Sequence, residues 1–225
     1  MKKALILLSG GLDSATTAAM AIQNGYEIFA LSFDYNQSHK FELESAKNIV
    51  KFLNIPHHKI IKIDSGIFQN SALTNDIPVP KNQEIDPDNN IPVTYVPARN
   101  ILFLSYATAY AESFDITEIF IGANSVDYSG YPDCRPEFIQ SFNEMINIGT
   151  KIGIEKCLKI QTPLIHLTKK DIIQRGLDLN FDYSLTISCY DPDNQARSCG
   201  TCDSCQIRLR AFKELGKIDN ITYVT

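Results

Sequence analysis

Short apolar runs alternate with helically spaced ones along the first 63 residues, and few architectures accept that rhythm. Ala4 to Leu8 is a run of five apolar residues, too short for a helix, and predicts a buried strand. Ala, Thr and Met at helical spacing over Asp13 to Asn24, ended by Gly25, predict a helix. Ile28 to Phe33 predicts a second strand. Leu43, Ala46, Val50 and Leu53 then recur at steps of three and four, one face of a second helix, and Lys59 to Ile63 gives a third strand. Strands separated in this way join through right-handed crossovers. The expected class is therefore α/β, a doubly wound, mainly parallel sheet covered on both faces.

Residues 65–97 interrupt the rhythm with Pro78, Pro80, Pro87, Pro92 and Pro97 among Asn and Asp, a length of irregular chain that usually serves function. Order resumes with a helix over Arg99 to Ser113, a strand over Glu118 to Gly122 and a polar loop over Ala123 to Arg135. A helix over Pro136 to Ile148 and a strand over Leu158 to Gln161 follow. Thr168-Lys169-Lys170-Asp171 has capping-box spacing and should open another helix, with Asp in place of Glu. A length of 225 residues suits one large domain with a small appendage. The expected division is an α/β domain over 1–185 and a metal-binding segment over 186–225 packed on it.

The charge balance, 21 Lys+Arg against 26 Asp+Glu, leaves −5. Polyanion-binding surfaces carry a basic excess, so no nucleic-acid partner is expected. The longest apolar candidate, Ile101 to Ala111, is broken by Ser105 and Thr108 and falls short of the ~18–20 residues that cross a bilayer. Met1-Lys2-Lys3 precedes only five apolar residues, fewer than the ~7–15 of a secretory leader. The expectation is a cytoplasmic chain with no membrane partner.

Four of the six cysteines, Cys189, Cys199, Cys202 and Cys205, fall in the last 37 residues. In a long chain without a leader, such clustering reads as metal-binding or catalytic. Four thiolates with tight C-x-x-C turns suit a closed, structural Zn²⁺ site, one ion per chain. Part of an iron–sulfur ligand run and a set of reduced thiols are the alternatives. Cys157 beside a strand reads as small core filler, and Cys134 lies in a polar loop without an assigned role. His39, His57, His58 and His166 form no pair with metal-ligand spacing.

Ser9-Gly10-Gly11-Leu12-Asp13-Ser14 sits between the first strand and first helix, where open α/β sheets bind ligands. Adjacent glycines let the backbone bring N–H groups to an anion, and the helix N-terminus adds a positive field. No Lys follows the glycines, so this is not a Walker A loop. Val96-Pro97-Ala98-Arg99-Asn100 places a planar cation at a helix start, suited to phosphate or carboxylate. Gly122 to Arg135 gathers carboxylates, amides and phenols that can face a flat base.

The Ser9–Ser14 loop resembles that of the ATP pyrophosphatase, or PP-loop, superfamily. Together with Val96–Asn100, Gly122–Arg135 and the four cysteines it resembles the 7-cyano-7-deazaguanine synthase family, in order along nearly the whole chain. The Asn- and Pro-rich stretch Ala72 to Asn90 departs from that pattern. The resemblance implies a Rossmann-like, adenine nucleotide alpha hydrolase-like fold. It also implies a carbon–nitrogen ligase that converts 7-carboxy-7-deazaguanine and ammonia to the nitrile, releasing AMP and pyrophosphate from ATP with Mg²⁺. Nucleotide contacts are implied for Leu8, Ser9, Gly10, Gly11, Leu12, Asp13, Ser14, Ala15, Thr16, Thr17 and Ala18. Asp13, Ser14 and Arg99 are the catalytic candidates; Arg99, Asn100, Asp127, Tyr131 and Asp133 are those for the deazaguanine. A homodimer is implied as well. The competing expectations are a tRNA-thiolating relative with an iron–sulfur cluster and a non-catalytic nucleotide sensor.

Overall fold

Alternation along the first strand separates two cores. In the computed structural model, which describes residues 2–35, 37, 40–82, 91–126 and 130–224, strand β1 (Lys2–Leu7) turns Ala4 and Ile6 to one side and Leu5 and Leu7 to the other. All four are buried, as a central strand covered on both faces requires. Helix α1 (Leu12–Gln23), β2 (Tyr26–Asp34), α2 (Phe41–Phe52) and β3 (His57–Lys62) follow in the expected alternation. Then come α3 (Arg99–Ser113), β4 (Glu118–Phe120), α4 (Pro136–Gly149), α5 (Lys151–Lys156), β5 (Lys159–Gln161), α6 (Lys169–Asp178) and α7 (Asp203–Glu214).

The five strands pair in parallel in the order β3-β2-β1-β4-β5. The chain winds one way from β1 to β3 and the other way from β4 to β5, so the reversal lies between β1 and β4. Crevices form at the carboxyl ends of strands at such a reversal. One core joins β1 to α1, α2, α6 and α7 through Ala18, Ile49, Ile173, Ala211 and Phe212. The other joins it to α3, α4 and α5 through Leu104, Phe142 and Ile152.

Helix α3 spans the predicted residues, and α6 carries both halves of the expected capping box between Thr168 and Asp171. The irregular stretch is tied down where it is described: Phe68, Ser71, Ala72, Thr94 and Val96 are buried, and Ala72 N–H donates to Val93 O at 2.9 Å. Residues 83–90 and His39 lie outside the described residues. Cys157 is not core filler. It closes α5 at φ 64, a left-handed turn that swings its side chain out to solvent. Among the described residues no helix is long and apolar enough to cross a membrane.

Candidate functional site

The β1–α1 loop is braced by its own two serines. Ser14 Oγ accepts from Ser9 N at 3.2 Å and donates to Gly11 O at 3.0 Å, while Gly11 N donates to Ser9 Oγ at 3.2 Å. Gly10 has φ +89, and a Cβ there would fall 2.1 Å from the Glu42 carbonyl oxygen. Only glycine lets the loop lie against α2 this closely. No side chain caps α1 at Gly11, so its first-turn N–H groups are left for a ligand or water. A Cβ on Gly122 would sit 2.9 Å from Ser14 N, so the end of β4 also presses on this turn.

A cavity of about 240 Å³ opens at the reversal between β1 and β4. Of the expected nucleotide residues, Leu8, Ser9, Gly11, Leu12, Asp13 and Ser14 line it. Ala15, Thr16, Thr17 and Ala18 are buried behind it, where Thr16 Oγ1 meets Tyr183 Oη at 2.7 Å and Thr17 Oγ1 donates to Asp13 O at 2.9 Å. They anchor the helix that presents the loop, and Gly10 fixes its closeness to α2. Asp13 does not stand alone: Lys169, the first residue of α6, donates from Nζ to its two oxygens at 2.6 and 2.8 Å. The Lys169 side chain is only 8% exposed against 24% for Asp13, so the pair sits largely out of water at the cavity wall.

Across the cavity, Ala98 at φ 54 turns the chain into α3 and brings Arg99 and Asn100 to the lining. Asn100 N donates to Asp133 Oδ2 at 3.0 Å and Asn100 Nδ2 to Asp133 O at 3.1 Å. Asp133 is thus buried in the wall, holding the start of α3 rather than lining the space. Tyr131 lines it, its hydroxyl 2.7 Å from that of Thr94 and 3.5 Å from that of Tyr190. Burial pushes the Cys134 thiol up to about 12, which keeps it neutral at the cavity wall. Asp127 lies outside the described residues.

Glu42 and Lys169 are cavity residues that pattern reading does not single out. Both stand in first turns of helices, where acidic and basic side chains commonly face solvent. Burial raises the Glu42 carboxyl to about 7, although the Arg99 guanidinium pulls the other way. Arg99 itself, despite burial, is raised further by Tyr35, Tyr131, Asp133 and Cys134 and stays charged. The sign of the Glu42 shift gives a stability prediction. The folded protein holds this proton up to about 7 and the unfolded chain releases it near 4.5, so stability falls as pH rises between them. Glu42→Gln is expected to raise the melting temperature at pH 8 by about 2–4 °C, on the order of 1 kcal/mol after solvent screening, with little gain at pH 4.5. Equal gains at both pH values in a thermal scan would contradict it.

The four C-terminal cysteines come together, their sulfurs all within 4.8 Å of one another. Cys189 and Cys199 approach through loops, whereas Cys202 caps α7 and Cys205 lies in its first turn. Backbone N–H groups point at sulfur: Asp191 N and Cys199 N donate to Cys189 Sγ at 3.4 and 3.2 Å, and Cys202 N to Cys199 Sγ at 3.3 Å. The Cys202 thiol is held low by donation from Cys189 and Cys205, whose own thiols are pushed up. Such crowding favours several thiolates only around a cation, so the cluster could hold a metal ion. One contact ties it to the β1–α1 loop, and buried bonds of α7 brace the segment that carries it. Ile187 N, two residues before Cys189, donates to Gly10 O at 3.1 Å. Arg208 of α7, 1% exposed, donates to Asp219 through Nε at 2.7 Å and Nη2 at 2.9 Å, to Thr186 Oγ1 at 2.7 Å and to Tyr183 O at 3.0 Å.

Among solved structures the fold is similar to a predicted subunit of tRNA methyltransferase from Methanocaldococcus jannaschii, at TM-score 0.51 and 19% identity over 79% of this chain and 76% of that one. It is also similar to a 4-thiouridine synthetase solved with RNA and ATP, at TM-score 0.50 and 15% identity over 94% of this chain and 53% of that one. Likeness at these identities concerns the fold alone. Sequence relatives are nearer. A 7-cyano-7-deazaguanine synthase of Desulfatibacillum aliphaticivorans is 53% identical over 99% of this chain and 97% of its own. One of Syntrophus aciditrophicus is 55% identical over 96% and 94%. The family model of queuosine biosynthesis protein QueC matches residues 3–216. With that match spanning both the nucleotide loop and the cysteine cluster, the chain belongs to the QueC family.

Proposed function

We propose that this protein is an ATP-dependent carbon–nitrogen ligase that makes 7-cyano-7-deazaguanine from 7-carboxy-7-deazaguanine and ammonia. The observation that carries the reading is one cavity lined by the uncapped α1 loop, by Asp13 and Lys169, and by Arg99, Glu42 and Tyr131. A carboxylate is a poor electrophile, and adenylation solves that. Its oxygen attacks the α-phosphorus of ATP, the α–β bridging bond breaks, and pyrophosphate leaves onto the Ser9–Ser14 loop. Fixed N–H dipoles and the Lys169 ammonium meet that charge without rearranging. Ammonia then adds to the acyl carbon, AMP departs with the C–O bond, and an amide and a proton result. The amide oxygen attacks a second ATP, again expelling pyrophosphate. Loss of AMP and of both nitrogen-bound protons gives the nitrile.

Asp13, whose two oxygens accept from Lys169 Nζ and keep further lone pairs, could hold Mg²⁺ arriving with ATP. That ion would supply charge neutralisation on the phosphates. The four thiolates suit Zn²⁺: regular Zn–S bonds of about 2.3 Å set the sulfurs roughly 3.8 Å apart, within the observed cluster. A closed four-thiolate site has no open position, so its task is structural, holding segment 186–225 on the α/β domain of 1–185. Free ATP, ammonia and the deazapurine acid complete the partners, in a cytoplasmic homodimer. Incubation with ATP, Mg²⁺, ammonium and 7-carboxy-7-deazaguanine should yield the nitrile with two AMP per product, read by mass spectrometry. Folded protein that forms no nitrile, or AMP formation that ignores the deazapurine acid, would refute the proposal.

A further inference from the structure

Two unlike charges line the cavity without an ion pair between them. Glu42 opens α2 and Arg99 opens α3, and each lines the space. They are near enough to influence one another, yet among the described residues no ion pair within 4.0 Å joins them. The Arg99 guanidinium lies near the Tyr35 hydroxyl instead and opposes the rise that burial causes there. The other cavity-lining carboxylate, Asp13, has both oxygens taken by Lys169, and Asp133 is turned away to Asn100. Leu31, Phe33 and Phe103 line the same cavity, the two phenyl rings stacked on each other at 4.0 Å. The cavity thus combines apolar lining with one acceptor and one fixed donor.

We propose that Glu42 and Arg99 together read the 2-amino-4-oxopyrimidine edge of the deazapurine acid, making Glu42 a specificity-determining residue. This rests on the function proposed above. That edge presents an oxo acceptor, a ring N–H donor and an exocyclic amino donor in a row. A carboxylate accepts from the two adjacent donors in parallel, and a guanidinium donates to the oxygen. Adenine presents a ring-nitrogen acceptor and one amino donor at the corresponding edge. It would set an acceptor against the Glu42 oxygens and offer no oxo group to Arg99. The same pair therefore keeps the adenine of ATP out of the acid's half of the cavity. Burial of a carboxylate without donors is unfavourable, and two ligand N–H groups remove that penalty only for the matching edge. The raised Glu42 carboxyl is consistent with a group left short of donors until such a ligand arrives.

The test compares wild type, Glu42→Gln and Glu42→Asp by steady-state kinetics, using 7-carboxy-7-deazaguanine and its analogue lacking the 2-amino group. Glu42→Gln turns one acceptor into a donor that meets the substrate's own donors. Its KM for the acid should rise about 10–100-fold while its KM for ATP stays within about twofold. The wild-type preference for the 2-amino acid over the analogue should be of similar size and collapse in Glu42→Gln. Glu42→Asp, which keeps the acceptor, should retain part of that preference. An unchanged acid KM and an unchanged preference in Glu42→Gln overturn the proposal. So does a rise confined to the KM for ATP, or a fall in kcat alone with a displaced pH profile, which would make Glu42 a proton carrier. Wild type that forms no nitrile refutes the underlying function and this inference with it. Active wild type with an indifferent Gln variant refutes the edge assignment alone.

Discussion

Lys169→Met is expected to lower kcat for AMP formation by at least ~10³-fold while the protein remains folded. Lys169 holds its ammonium 2.6 Å from Asp13 and is 8% exposed, so its field is poorly screened by water. In the proposed reaction, pyrophosphate leaving the α-phosphorus would gather charge beside this group, and methionine keeps the stem's volume without the charge. The paired variant behaves differently in stability. Asp13→Ala leaves a nearly buried ammonium without the Asp13 counter-charge, whereas Lys169→Met leaves a carboxylate that still reaches water at 24% exposure. Asp13→Ala should therefore be the more destabilising of the two, although both abolish turnover. Single-turnover AMP release and thermal scans on the two variants check both statements. A Lys169→Met enzyme within tenfold of wild type would remove Lys169 from the chemistry.

Stripping metal from the cysteine cluster should lower the melting temperature by more than 10 °C and weaken ATP binding together with it. Structural four-thiolate sites contribute several kcal/mol to folding, and each kcal/mol moves a chain of this size by about 2–4 °C. The loss of ATP affinity follows from geometry. Cys189 fixes the loop that carries Ile187, and Ile187 N–H holds Gly10 O at 3.1 Å. Without the cluster that tether loosens, and the loop that cradles phosphate is no longer preorganised. Cys202→Ser should reproduce both effects, with metal content read by mass spectrometry and ATP affinity by calorimetry. Stability and affinity that survive chelation would show the cluster to be independent of the nucleotide loop.

Much of this architecture is written in periodicity. The apolar runs of β1, β2 and β3 and the residues of α3 stand out because buried parallel strands are continuous and helices repeat every three to four. Helix α7 is less legible. Its apolar positions Ile207, Ala211 and Phe212 are diluted by Asp203, Arg208, Arg210 and Lys213, and the cysteines of its first turn point to metal rather than to a helix. The short α5 carries too few turns for a period to register. In the site, the glycine loop and the cysteines show themselves by spacing. Glu42 and Lys169 do not, because only the approach of α2 to Gly10 and of α6 to Asp13 distinguishes them from ordinary first-turn charges. Asp133 illustrates the converse: a carboxylate in a polar loop whose partner, Asn100, lies 33 residues away in the chain.

The packing of α7 also bears on how the chain is made. Ala211 and Phe212 complete the same core that begins with Ala4 and Ile6. That face of the sheet cannot close until α7 has been synthesised. At about 5–20 residues per second, the nascent β1–α1 unit waits roughly 10–40 s with apolar surface uncovered. Contacts this distant in sequence also slow folding after release. A chain cut short before α7 therefore keeps that apolar surface exposed, the condition that favours aggregation.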